Sequence, residues 1–399
     1  MIRETVTMAS TDVLVVGAGA GGLAVAAEMR QISARASVTV ATESTDQLYW
    51  PWLIYAPAGR LQSKLAPKIP LRPVADRHGF RLLIGGVREI DLVAKRAVLD
   101  NSVVGYRVLV IAAGAPADRG RLPGAAEHAL FPCDAPDANR LTERLASIGE
   151  GAITFVLPGE RIGPGLEYAA WLARAQQEMG ERRYRVQVVS DGDTLTELLG
   201  LRGVRRVGRL LEGWKATLEL GTDVAAIESD GVRLADERRL ASALTNVVGP
   251  LRGPDIGLPE EVTDARGFVI VDRFLRSPLD SSLLAVGDAA TVPGEPWRKS
   301  WQLAIRQAPV VAANAAAELA GTAPRPFDSR VARRLSRISL PDVGGTALLV
   351  VNRRLLLAGS LPGRLRARAS TGHSSRGTAS IRARSLRTLN RKEERTTKL

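Results

Sequence analysis

Short apolar runs that end in glycine recur along the chain, and stretches of helical spacing lie between them. Asp12 to Val16, DVLVV, predicts a short buried strand. Gly17-Ala-Gly-Ala-Gly-Gly22 follows, and Leu23 to Ile32 has the spacing of a helix packed on one face. The next strand is SVTVA, Ser37 to Ala41, which ends just before Glu43. Val103 to Ala112 predicts another strand, closed by Ala113-Gly114, and Leu283 to Val286 a further one, closed by Gly287-Asp288. A second set sits in the middle: strand Ala152 to Leu157, loop Gly159 to Gly165, helix Leu166 to Gln177, and strand Tyr184 to Val189 ending at Asp191. Strands alternating with helices predict an α/β fold built on parallel sheets.

The first unit carries recognisable chemistry. Gly17 permits the tight turn after the strand, Gly19 lets backbone approach a pyrophosphate, and Gly22 allows close helix packing. The helix start then offers free N–H groups and its positive dipole end to phosphate. Glu43, 21 residues past Gly22, stands where a carboxylate accepts the ribose hydroxyls of a dinucleotide. Gly114 and Gly287 mark the carboxyl ends of two more strands, where α/β sheets present ligands. Asp288 suits a hydroxyl of a cofactor or the cap of the following segment. The second loop, Gly159 to Gly165, holds Arg161 and Pro164 and departs from GxGxxG. It reads as a damaged nucleotide fingerprint, a different one, or a plain turn.

These units sketch two Rossmann-like dinucleotide-binding domains, the second inserted in the first, plus a short C-terminal segment. The FAD-type domain takes residues 1–118 and 248–325, and the second α/β domain 150–247. A C-terminal segment, 326–362, has strand character from Ala347 to Leu357, and a basic tail occupies 363–399.

Composition narrows the functions. Of 399 residues 45% are hydrophobic and 24% charged, which excludes a mainly disordered chain. One cysteine, Cys133, excludes a disulfide scaffold. The three histidines are far apart without ligand spacing, so no metal site is expected. The net charge of +13 would suggest nucleic acid, but +9 of it lies in Gly363–Leu399, which has no aromatic residue to stack on bases. A solvated tail is the expectation, with attraction to an anionic membrane as the alternative. No segment reaches the ~18 uninterrupted apolar residues of a membrane span, and a cytoplasmic location follows, with peripheral contact at the inner face left open.

The motifs together resemble the two-dinucleotide-binding-domain flavoproteins of the pyridine nucleotide-disulfide oxidoreductase superfamily, in particular sulfide:quinone reductases, flavocytochrome c sulfide dehydrogenases and type II NADH dehydrogenases. GAGAGG at Gly17 is similar to their FAD pyrophosphate motif, and YRVLVIAAGA from Tyr106 resembles YDxLVIATGA. LLAVGDAA from Leu283 resembles the motif whose aspartate, here Asp288, contacts the ribityl chain. IGPGLEYA from Ile162 is similar to the FGPAYEFA of sulfide:quinone reductases, and VVSDGDTLTELLG and PDVGG from Pro341 lean the same way. Those enzymes use a cysteine pair beside the flavin. Here Arg161 stands at one of the two positions, Ser339 approximately at the other, and Cys133 matches only an accessory cysteine. A disulfide relay needs two sulfurs. Cys133 reads as a small buried hydrophobe, with a reactive thiol as the alternative.

Other residues resemble type II NADH dehydrogenases. SWQLAIRQA, Ser300 to Ala308, is similar to tAQxAxQQA at the flavin and quinone site, with Gln302 and Arg306 at its two polar positions. Glu167 matches a helix glutamate facing the nicotinamide–flavin region, or else caps the helix. Lys299 resembles a lysine near the flavin pyrimidine, or is a surface charge. Pro51 and Trp52 resemble the loop across the flavin face, or pack domains together. The resemblance implies FAD as cofactor, NAD(P)H as the favoured donor and a quinone-like acceptor. Its alternatives are a sulfide:quinone-reductase-like enzyme with a degenerate relay and a flavin-binding protein without turnover. Nucleic-acid binding rests only on the tail.

Overall fold

The computed structural model describes residues 8–48, 68–159, 161–178, 184–295 and 299–330, together with the backbone of strands Arg337–Pro341, Ala347–Val351 and Arg354–Gly359. The readings of Pro51, Trp52 and the basic tail lie outside these residues.

The first sheet has seven strands, and its parallel core forms around Met8–Val16. That strand pairs in parallel with Val38–Thr42 on one side and with Val103–Ile111 on the other. Arg81–Ile84 extends the sheet beyond Val38–Thr42. Val103–Ile111 is shared at its far edge. Its first residues pair antiparallel with Arg96–Leu99, and its last three pair in parallel with Leu283–Ala285. The antiparallel hairpin Val87–Asp91 and Arg96–Leu99 completes the layer. Helices Ala20–Ile32 and Trp301–Ala320 pack against each other and against this sheet. The strand centres are Val-, Leu- and Ile-rich because both faces are covered. Val15, Leu109, Leu284, Val25 and Val311 are wholly buried in this core.

The second sheet is parallel throughout, in the order Thr217–Leu220, Tyr184–Ser190, Gly151–Leu157, Leu244–Val247, Ala129–Leu130. Ala129–Leu130 joins it upstream of residue 150, because the chain must pair beside Leu244–Val247 before it can run into helix Ala135–Ser147. A three-stranded antiparallel meander, Val224–Glu228, Gly231–Leu234 and Arg239–Ala241, accompanies it. Phe155 and Tyr168 stack at 6.2 Å in its core. Helix Ile162–Glu178 starts four residues before the expected Leu166, inside the Gly-Pro loop. Pro164 falls in its first turn, where the missing N–H has no intrahelical partner to lose. The stretch Ala347 to Leu357 forms part of two strands of a hairpin, Ala347–Val351 and Arg354–Gly359, and Arg337–Pro341 pairs on the other side of the first. Among the described residues no helix is long and apolar enough to cross a membrane.

The shared strand makes Leu109 a sensitive position, since it lies wholly buried between Leu14 and Leu283. Leu109→Ala should lower the stability of the protein by about 3 kcal/mol, from lost burial and the cavity left behind, as read from the urea midpoint at unchanged slope.

Candidate functional site

Register aligns four strand ends. Val16 lies opposite Ala41 and Ile111, and Ile111 opposite Ala285. Gly17, Glu43, Gly114 and the Gly287-Asp288 turn therefore emerge along one carboxyl edge. Backbone bonds stitch that edge: the Gly17 N–H donates to Ala41 at 2.8 Å, Ala112 to Val16 at 2.8 Å, and Val286 to Ile111 at 2.9 Å.

The glycines divide by what surrounds them. Gly17 has φ +105°, and a Cβ there would meet the Ala112 carbonyl oxygen at 2.5 Å. A Cβ on Gly22 would run into the Gly17 carbonyl. Both are needed to bring the first helix against the strand ends. Gly19 differs: it caps helix Ala20–Ile32 with ordinary φ −71°, and a Cβ there would meet nothing nearer than the Ala112 oxygen at 3.9 Å. No side chain caps that helix and no acid stands in its first turn. The free N–H groups thus face open space, the form of a pyrophosphate cradle. Glu43 is exposed at the next strand end, with the Arg88 guanidinium 3.7 Å away.

Asp288 lies in the short turn Gly287–Ala289. Gln307 fixes that turn: fully buried, its Oε1 accepts the Gly287 N–H at 2.7 Å. One Asp288 oxygen, Oδ2, accepts from Arg161 Nη2 at 2.8 Å. The other, Oδ1, is buried and lacks a partner among the described residues. An orphan carboxylate oxygen calls for a donor, and a cofactor hydroxyl supplies one. The Gly19 cradle and this oxygen both fit FAD.

Arg161 follows strand Gly151–Leu157 of the second sheet, at the head of helix Ile162–Glu178. Its guanidinium also lies within electrostatic reach of the Cys133 thiol. Burial works against the charge of Arg161, but the Asp288 carboxylate and Cys133 outweigh it and raise the pKa above the ordinary arginine value. Burial pushes the Cys133 thiol up, against the pull of Arg161. The segment around Cys133 is held by Arg119, which donates to Asp134 at 3.1 Å and Asp137 at 2.8 Å, and by Tyr168, which donates to the Pro132 carbonyl at 2.8 Å.

The remaining sequence-derived residues spread along this junction. Lys299 donates to the Ala290 carbonyl at 2.5 Å and sits 3.9 Å above the Phe268 ring, just past the Asp288 turn. Gln302 is half-buried in the first turn of Trp301–Ala320, one turn before the exposed Arg306, and Ser300 caps this helix. Glu167 is buried in the second turn of the helix that Arg161 opens. Of Ser339 only the backbone is described. Among the described residues no three His, Cys, Asp or Glu side chains gather as metal ligands. Gln307 and the bond from Arg161 to Asp288 escaped sequence reasoning. Gln307 had left a signal, a polar residue in register with Leu303, Ala304, Ala308 and Val311 on the apolar face.

Residues 11–308 match the family described as pyridine nucleotide-disulphide oxidoreductase. Apoptosis-inducing factor 3 of Mus musculus is 28% identical over 337 residues, 77% of this chain and 51% of that protein. The sulfide-quinone reductase of Aquifex aeolicus is 25% identical over 363 residues, 84% of this chain and 82% of that protein. The chain thus spans about half the length of the first of these relatives. Among solved structures, the sulfide:quinone oxidoreductase of Aquifex aeolicus matches with a TM-score of 0.77 at 18% identity, covering 90% of this chain and 89% of that one. A ferredoxin reductase from Rhodopseudomonas palustris matches at 0.66 and 21% identity, covering 86% and 82%. These likenesses are of fold.

The glycines predict two different failures. Gly19→Val should fold with an unchanged melting temperature and purify without FAD, since its side chain fills only the cradle. Gly22→Ala should lower the melting temperature itself, because its Cβ strikes backbone. Differential scanning calorimetry of the apoproteins, with flavin absorbance of the purified samples, separates the two.

Proposed function

The chain belongs to the pyridine nucleotide-disulphide oxidoreductase family, and from that premise we propose that it passes electrons from NAD(P)H through FAD to a quinone-like acceptor. Membership of this family supports an FAD-dependent oxidoreductase. When bound, FAD takes up two electrons as a hydride equivalent and hands them on. Gly17 and Gly22 would close the cradle's helix on the strand ends, Gly19 and Gly114 would leave room for the cofactor, and Glu43 and Asp288 would offer acceptors to its hydroxyls.

The observation that carries the choice of donor is Arg161. The side chain beside Cys133 is a guanidinium, not a second sulfur, and the chain has one cysteine. Without two sulfurs no dithiol can relay electrons. A donor that delivers hydride directly needs no relay. The second sheet supports a nucleotide there: Gly165 lets helix Ile162–Glu178 close on the strand, since a Cβ would strike the Leu157 side chain. Glu167, buried in that helix, is the acidic group that would orient the nicotinamide. Lys299 brings positive charge beside the Asp288 turn, where it favours electron uptake.

Gln302 and Arg306 are placed for the acceptor. At i and i+4 they share one face of Trp301–Ala320. The Gln302 amide would donate to a quinone carbonyl, and Arg306 would stabilise the negative charge that develops on it. One observation favours a second reading, sulfide acting through Cys133 alone: the Arg161 guanidinium near that thiol draws it toward thiolate. Burial opposes this and prevails.

Anaerobic titration of the purified flavoprotein tests the donor. NADH or NADPH should bleach the flavin absorbance, sulfide should not, and Cys133→Ser should leave the nicotinamide reaction unchanged. Bleaching by sulfide that disappears in Cys133→Ser would move the assignment to the second reading. Arg306→Ala should slow stopped-flow reoxidation by a soluble quinone by on the order of tenfold or more, with FAD content and donor reduction intact. Reoxidation at the original rate would place the acceptor elsewhere.

A further inference from the structure

The bond between Arg161 and Asp288 joins the two domains at the cofactor site. Arg161 opens a helix at the carboxyl edge of the second sheet, and Asp288 turns off the carboxyl edge of the first. The pair is 2.8 Å apart with side chains only 18% and 14% exposed. A contact so withdrawn from water is not one of the surface ion pairs that contribute little. It also divides the labour of one carboxylate. Oδ2 is taken by Arg161, and Oδ1 is left buried without a partner among the described residues.

Backbone alone does not settle where those oxygens point. Gln307 fixes the Gly287 N–H and so the path of the turn, but the Asp288 carboxylate can still rotate. Arg161 removes that freedom. Its side chain is itself only 18% exposed and reaches Oδ2 through Nη2 at 2.8 Å, so the packing around it restricts its swing. The oxygen left over suits a hydroxyl donor and repels a phosphate or another carboxylate.

We propose that Arg161 is a positioning residue for FAD: supplied by the second domain, it clamps one oxygen of Asp288, keeps the other turned to a hydroxyl of the cofactor, and so ties cofactor retention to the docking of the second domain on the first. This rests on FAD as the bound group and goes beyond the assignment of donor and acceptor. A relay cysteine at this position would do redox work and leave Asp288 to be oriented by other means. The arginine here makes the same position a structural part of the flavin site.

The test is a double-mutant cycle on apoprotein stripped of flavin, read as the FAD dissociation constant from quenching of flavin fluorescence. Arg161→Met should weaken FAD binding at least tenfold. Arg161→Lys should recover part of the loss, since an ammonium can hold Oδ2 at one point but lacks the fork. Asp288→Asn should weaken binding as well, and adding Arg161→Met to it should cost less than a further twofold. Arg161→Met binding FAD within twofold of the unsubstituted protein would overturn the proposal. So would equal losses from Arg161→Met in the Asp and Asn backgrounds, because Arg161 would then not act through Asp288. Should Arg161→Met yield no folded apoprotein, Arg161→Lys in the two backgrounds closes the same cycle, and the same two results would overturn the proposal. Unsubstituted apoprotein that fails to take up FAD would instead overturn the cofactor assignment itself.

Discussion

A carboxylate taken out of water must be matched by donors, and meeting that requirement at Asp288 organises much of this molecule. Arg161 matches one oxygen from the head of helix Ile162–Glu178 beside the second sheet. Gln307 holds the turn that carries the residue, and Gly287 gives that turn its φ of +72°. The space is tight: a Cβ on Gly287 would lie 2.7 Å from the Ala304 methyl, and one on Gly21 3.2 Å from the same methyl. Small residues thus let two helices and a turn converge on one point, where Asp288 Oδ1 and Gln307 Nε2 stay buried without a partner among the described residues.

That economy explains what the sequence disclosed. The first βαβ unit was legible because each glycine answers a local demand: a positive φ at Gly17, a backbone contact at Gly22, an open cradle at Gly19. The partner of Asp288 was not legible. Arg161 lies 127 residues away beside the other sheet, and spacing along the chain carries no information about a contact made only when two sheets dock. Motif matching drew attention to Arg161 as a missing cysteine. What it does instead depends on the carboxylate it meets.

The start of the second helix was obscured for a different reason. Gly163, Pro164 and Gly165 read as loop, yet the helix opens at Ile162. Proline fits a first turn, and Gly165 is there to let Leu157 approach. Local propensity pointed one way, and the packing of helix on strand decided otherwise.

Strand Val103–Ile111 accepts Leu283–Ala285 along its final three residues. As the chain leaves the ribosome, every strand of the second sheet, from Ala129 to Val247, is available before that closing strand has been made. The second sheet can therefore form while the first still has an unpaired edge. Until Leu283–Ala285 arrives, the apolar end of Val103–Ile111 is open to wrong partners, and a pause in synthesis between residues 247 and 283 would prolong that exposure.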